Sequence, residues 1–167
     1  MATRNDFLPD QWQALRNAPQ LVALATAAAG NSGLFGSLSE GMAMASTLAE
    51  TLRGEQPLLK EIFAREEMQA AQEQIKASIR SVTDRTVLGP HLQQQAIDAV
   101  SAALAALAAK GATADAAAFR TLLTSIGEKV ANASKEGSFL GFGGERVSDG
   151  ERQFLARLQS VVTSAAV

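Results

Sequence analysis

Apolar residues recur every three to four positions along most of the chain, and no segment alternates cleanly between apolar and polar, so the pattern predicts helices and no sheet. Pro9 and Pro19 each suit a first helical turn, where the fixed φ is helical and the missing N–H is not needed; they predict helices near 9–17 and 19–29. Gly30-Asn31-Ser32-Gly33-Leu34-Phe35-Gly36 then stops the second run, and Ser39 caps a helix to about 53 that stops at Gly54. Pro57 starts the longest predicted helix, to about Val82, with Leu58, Leu59, Ile62, Phe63, Met68, Ala71, Ile75, Ile79 and Val82 on one apolar stripe. After a turn at Gly89-Pro90, the segment to Lys110 has Ile97, Val100, Leu104 and Leu107 on one face and alanines around it, which suits a central helix approached on several sides. Gly111 ends it, Thr113 opens a helix to about Ser134, and a last helix runs from Asp149 to about Ala165.

The connection before that last helix, Gly137-Ser138-Phe139-Leu140-Gly141-Phe142-Gly143-Gly144, is again rich in glycine, and Ser148 with Glu151 three positions later forms a capping-box signature. The two glycine-rich segments align: Leu34-Phe35-Gly36-Ser37 with Leu38-Ser39-Glu40-Gly41 lies over Gly141-Phe142-Gly143-Gly144 with Val147-Ser148-Asp149-Gly150, the second copy carrying Glu145 and Arg146 in addition. The expectation is an all-α, single-domain bundle over residues 1–167, of about six to seven helices, arranged as two related helix-loop-helix units around a long central pair.

Composition narrows the function classes. Alanine fills 33 of 167 positions and tyrosine is absent, which favours helix over strand. A formal net charge of −2 argues against nucleic acid as a partner, because phosphate backbones call for a concentrated excess of Lys and Arg. The absence of cysteine excludes thiolate chemistry and Cys-based zinc sites, and a single histidine, His91, leaves little for general-base or metal schemes, so no cofactor and no catalytic set is expected. The mixed charges of Met1-Ala2-Thr3-Arg4-Asn5-Asp6 do not resemble a secretory signal, and the most apolar window, 96–109, is short and carries Asp98; a cytoplasmic protein without an integral membrane segment is expected.

A helix ending in small residues, a glycine-containing loop, a polar cap and a further amphipathic helix, with Ser148-Asp149-Gly150-Glu151 as the sharpest piece, resembles the TerB-like proteins of the tellurite-resistance group. The resemblance implies a helical fold and, for some members, a role in stress responses and divalent-metal binding. On this chain metal binding would fall on Asp149 and Glu151, while the first loop offers Asn31 and Ser32 in place of an acidic pair.

The residues themselves admit simpler roles. Asp149 and Glu151 sit where carboxylates cap a helix and complement its dipole. Gly141, Phe142, Gly143 and Gly144 lack the Lys-Ser or Lys-Thr ending of a phosphate-binding loop, and no strand precedes them. Phe35, Phe139, Gly141, Phe142, Gly143 and Gly144 are the candidates for contacting a ligand or partner. Phe139, Leu140 and Phe142 can form an apolar tip, although the preferred reading is that these residues, Phe142 above all, fold back and plug the core beneath the loop. Trp12 is expected to anchor the N-terminal helix, His91 to lie at the surface, and the charges from Arg53 to Arg85 to form a solvated face. The function these features suggest is that of a non-enzymatic accessory or stress-related protein acting through a partner or through self-association, with small-ligand or divalent-metal binding at the glycine-rich loops as the alternative.

Overall fold

The computed structural model describes residues 1–30, 54, 56–136 and 147–164, and the fold is all-α. Among the described residues there are six α-helices and no strand: α1 (Pro9–Ala29), α2 (Pro57–Ile62), α3 (Arg65–Ser81), α4 (Leu88–Ala109), α5 (Thr113–Glu136) and α6 (Asp149–Ser164), with single 3-10 turns at Arg4–Asp6 and Arg85–Val87. Buried side chains from all six helices form one continuous core.

Helix α1 occupies the centre, which corrects the expectation for the N-terminal third. The chain does not break at Pro19; it continues as one helix of 21 residues, with Pro19 inside it and buried. An interior proline forfeits the bond to the carbonyl four residues earlier, here Leu15, and costs about 3 kcal/mol. That cost is outweighed because every residue from Asn17 to Thr26 is buried, with α3, α4, α5 and α6 all packed around α1. Even Thr26 is accommodated, its hydroxyl donating to the Val22 carbonyl at 2.7 Å. The α4 helix expected at the centre is instead the closest neighbour of α1 and leaves Ser101, Ala102, Ala105 and Ala108 exposed. The long central pair is therefore α1 with α4, not the 57–82 helix with α4.

The predicted helix over 57–82 is divided at Phe63 and Ala64, where Ala64 turns extended (φ −59°, ψ 144°). The reason is phase. Ile62 and Met68 would stand roughly 120° apart on one continuous helix, yet both are buried, with Leu58, Leu59 and Phe63 on one side of the break and Ala71, Ile75 and Ile79 on the other. The break lets two stripes that do not line up face the same core. Gly111 (φ +63°) stops α4 in the left-handed region as expected, and Gly54 takes φ +56° in the same region. The helix predicted near 39–53 lies outside the described residues, as does the first copy of the proposed repeat.

Glycine and alanine contacts give the helix directions. A Cβ on Gly89, at the start of α4, would lie 3.6 Å from the Ala28 carbonyl oxygen near the end of α1, so those two helices are antiparallel. A Cβ on Gly150 would meet the Ala29 oxygen, so α6 also begins where α1 ends. Helix α5 runs with α1, since Ala2 hydrogen-bonds Asp115 at its start and Gly127 lies beside Thr26 farther along. No described helix is long and apolar enough to cross a membrane.

Candidate functional site

Two places concentrate polar chemistry, one at each end of α1. At its C-terminal end, the outgoing carbonyls of Ala28 and Ala29 face the first turns of α4 and α6. A helix C-terminus carries partial negative charge and an N-terminus partial positive charge, so this junction is electrostatically matched. The approach of α6 is close enough to require glycine at 150, where a Cβ would stand 2.3 Å from the Ala29 oxygen; a Cβ on Gly30 would stand 3.1 Å from Glu151 Oε1, a tight but smaller contact.

Ser148 and Glu151 form the capping box that their spacing predicts. The Ser148 backbone N–H donates to Glu151 Oε2 at 2.8 Å, its hydroxyl donates to the same oxygen at 2.9 Å, and the Glu151 N–H donates to Ser148 Oγ at 3.2 Å. Glu151 is thereby buried, 2% exposed, while Asp149 points outward and pairs with Arg152. The two carboxylates named as metal candidates are thus engaged in two separate interactions on opposite sides of the helix start. Among the described residues, no group of three or more Asp, Glu or His side chains is gathered to hold a metal ion.

The stems of both glycine-rich segments belong to this junction. The first segment leaves α1 at Gly30, beside Glu151; the second leaves α5, which runs parallel to α1, and returns at Val147-Ser148, where Ser148 Oγ lies 3.5 Å from the Ala29 oxygen. Phe35, Phe139, Gly141, Phe142, Gly143 and Gly144 themselves lie outside the described residues.

At the N-terminal end of α1 lies a constellation that the sequence reading missed. Thr3 to Asp6 form one 3-10 turn, closed by the Asp6 carboxylate accepting from the Thr3 N–H at 2.8 Å and the Thr3 hydroxyl at 3.0 Å. These bonds, the backbone one foremost, hold Asp6 below its ordinary range. The turn carries Arg4 across to α2 and α3, where its N–H donates to Glu61 at 2.7 Å and its guanidinium pairs with Glu67 while lying 5.9 Å from the centre of the Trp12 ring. Arg16, from α1, pairs with the other Glu67 oxygen at 3.0 Å and donates to Gln74 at 2.9 Å; Asn17 reaches the same Gln74 oxygen at 3.1 Å, and Gln20 reaches the Met68 carbonyl at 3.3 Å. A cleft of about 280 Å³ opens beside this network, with Arg4, Trp12, Glu61, Glu66 and Glu67 in its walls.

Glu67 is the pivot, at 5% exposure. Burial alone pushes its carboxyl up, but the Trp12 indole, the Arg16 hydrogen bond and the charges of Arg4 and Arg16 outweigh burial and hold it below its ordinary value of 4.5. The Trp12 Nε1 meets no hydrogen bond of acceptable geometry, yet stands near enough to Glu67 to favour the charged form. Trp12 itself is 4% exposed and stacks obliquely on Phe7, 6.1 Å between centroids, so it anchors the N-terminal helix as its position suggested. The chain's own Arg4 takes up what this cleft offers a cation.

His91 is half-buried rather than at the open surface, 3.2 Å from the Ser78 hydroxyl, which also accepts from Gln95 at 2.6 Å. This small cluster ties the end of α3 to the start of α4. No family model matches the chain, and no curated protein or solved structure matches it either.

Proposed function

We propose that the chain is a non-enzymatic helical module that acts by protein association, a second copy of itself included, through the end of the bundle where α1 stops and α6 starts. The observation that carries this reading is the meeting of the two glycine-rich stems at one junction, Gly30 against Glu151 and Ser148 against Ala29. Two segments whose sequences set phenylalanine among glycines are joined to this one base, and such a base is what an association surface built on loops requires. The buried ionisable groups support it as well, since Glu67 holds α1 to α3 and Glu151 is consumed by the cap of α6.

Light scattering across a concentration series tests the proposal. Self-association weakened by Phe35→Ser with Phe139→Ser, at an unchanged unfolding midpoint, is the expected result. Phe142→Ala, which removes the ring read as a core plug, should instead lower stability by roughly 3 kcal/mol and leave association intact. A chain that stays monomeric at every concentration and binds no partner protein through these residues would overturn the reading. The resemblance to TerB-like proteins makes ligand binding the competing use of the same end; a midpoint raised by manganese, zinc or calcium, and lowered again by chelation, would favour it.

A further inference from the structure

Glu67 is met by two cations that are not equivalent. Arg16 reaches one oxygen from inside the bundle, its side chain 14% exposed; Arg4 reaches the other from the surface turn, its side chain 60% exposed. One cation compensates one buried carboxylate, so Arg16 does what the core requires and Arg4 is surplus to it. The cleft walls also hold more negative charge than these arginines meet. Glu61 accepts only the neutral backbone N–H of Arg4, and the exposed Glu66 pairs with no cation among the described residues. Trp12 lines the same cleft at 4% exposure, and its Nε1 donor, although near Glu67, has no hydrogen bond of good geometry. An aromatic ring, clustered carboxylates and an unmet donor are complementary to an arginine on a peptide: the guanidinium stacks on the ring and pairs with carboxylates, and the main chain brings a carbonyl acceptor.

We propose that this cleft is a receptor for an arginine of a partner peptide, and that Arg4 is its resident stand-in, exchanged when the partner binds. The chain holds Arg4 in the seat by ordinary means. The Thr3–Asp6 turn is closed by the Asp6 carboxylate, and Ala2 is tied to Asp115 at 2.7 Å, so the turn can let go of the seat without disturbing the helices beneath. Being part of the same chain gives Arg4 an effective concentration in the millimolar range or above, on the order of that for short flexible linkers. A single free guanidinium therefore competes poorly, whereas a segment with two arginines competes well, one taking the seat on Trp12 and Glu67 and the other facing Glu61 and Glu66. Lysine fits less well, because a point-like ammonium neither stacks on the ring nor forks between carboxylates. This seat lies at the opposite end of α1 from the glycine-rich stems, and it stands whether or not those stems associate.

The chain has one tryptophan and it lines the cleft, so its emission reports occupancy during titration with the peptide acetyl-Arg-Gly-Arg amide. Arg4→Ala should bind this peptide at least about tenfold more tightly than the parent chain, because an intramolecular competitor is gone. The same variant should bind acetyl-Lys-Gly-Lys amide about fivefold more weakly than the arginine peptide. Adding Glu66→Gln to Arg4→Ala should weaken binding about threefold at low salt with the unfolding midpoint unchanged, since an exposed, unpaired carboxylate contributes little to the fold. Asp6→Ala keeps Arg4 but loosens the turn that presents it, and it too should bind more tightly than the parent, so the outcome does not hang on one variant. No saturable change in emission with Arg4→Ala, equal affinity of parent and Arg4→Ala, equal affinity for the arginine and lysine peptides, indifference to Glu66→Gln, or an Asp6→Ala chain that binds no better than the parent would each overturn the proposal.

Discussion

Where α1 ends, its neighbours meet it through backbone: Gly150 and Gly89 bring α6 and α4 against the Ala28 and Ala29 carbonyls, and Glu151, the ionisable group beside Gly30, is absorbed by a local cap. Where α1 begins, the contacts are made by long side chains: Arg4 and Arg16 converge on Glu67, and Gln74 gathers Arg16 and Asn17. The first kind of junction has no slack, because a backbone atom cannot rotate away from an added carbon. The second has slack but depends on charge, and so on pH. One helix is thus held sterically at one end and electrostatically at the other, and the two ends should respond differently to the same kinds of perturbation.

The largest effect should come from Gly150→Ala. Its Cβ would stand 2.3 Å from the Ala29 oxygen, so α6 must move away from α1, at a cost of roughly 3 kcal/mol or more in denaturant unfolding. The loss should appear at neutral pH as a lower midpoint in denaturant, because the clash is with a backbone oxygen that cannot turn away. A variant as stable as the parent would show that the junction has room to relax and would erase the contrast between the ends.

A middle-sized effect is expected for Glu67→Gln, about 2 kcal/mol at neutral pH, since the substitution leaves Arg16 and Arg4 facing a neutral amide. This one should depend on pH. The folded-state value of Glu67 lies below the ordinary 4.5, so its contribution is complete above that value and is lost as the pH falls through the lower folded value. Parent and variant should therefore converge in stability on acidification. A gap that stays constant down to pH 3 would mean that Glu67 acts by packing rather than by charge.

The smallest effect belongs to Asp149→Asn. Asp149 shares the first turn of α6 with Glu151, but its side chain is 81% exposed and its partner Arg152 is 53% exposed, so screening by water leaves the pair worth less than about 0.5 kcal/mol in thermal unfolding. A larger loss would place the dipole of α6, rather than the glycine contact, at the centre of the junction.

Much of this was legible in the chain. The 3.6-residue recurrence fixed the helical class, Gly111 marked a stop that takes left-handed backbone, and Ser148 with Glu151 announced a cap whose three hydrogen bonds are all present. These signals are local: each depends on residues within one helical turn. The partner of Asp115 is 113 residues away, and nothing within a turn of either residue indicates the other. Glu67 looked like one more charge on a solvated face because its two arginines lie on other segments.

Local sequence therefore determined which stretches are helical, where they stop, and that the fold is all-α. Tertiary packing decided where local preference could be overruled. It carried α1 through Pro19, because the burial of ten consecutive residues outweighs one missing hydrogen bond. It also broke an uninterrupted helical pattern at Phe63-Ala64, because two apolar stripes out of phase cannot both reach one core on a single straight helix.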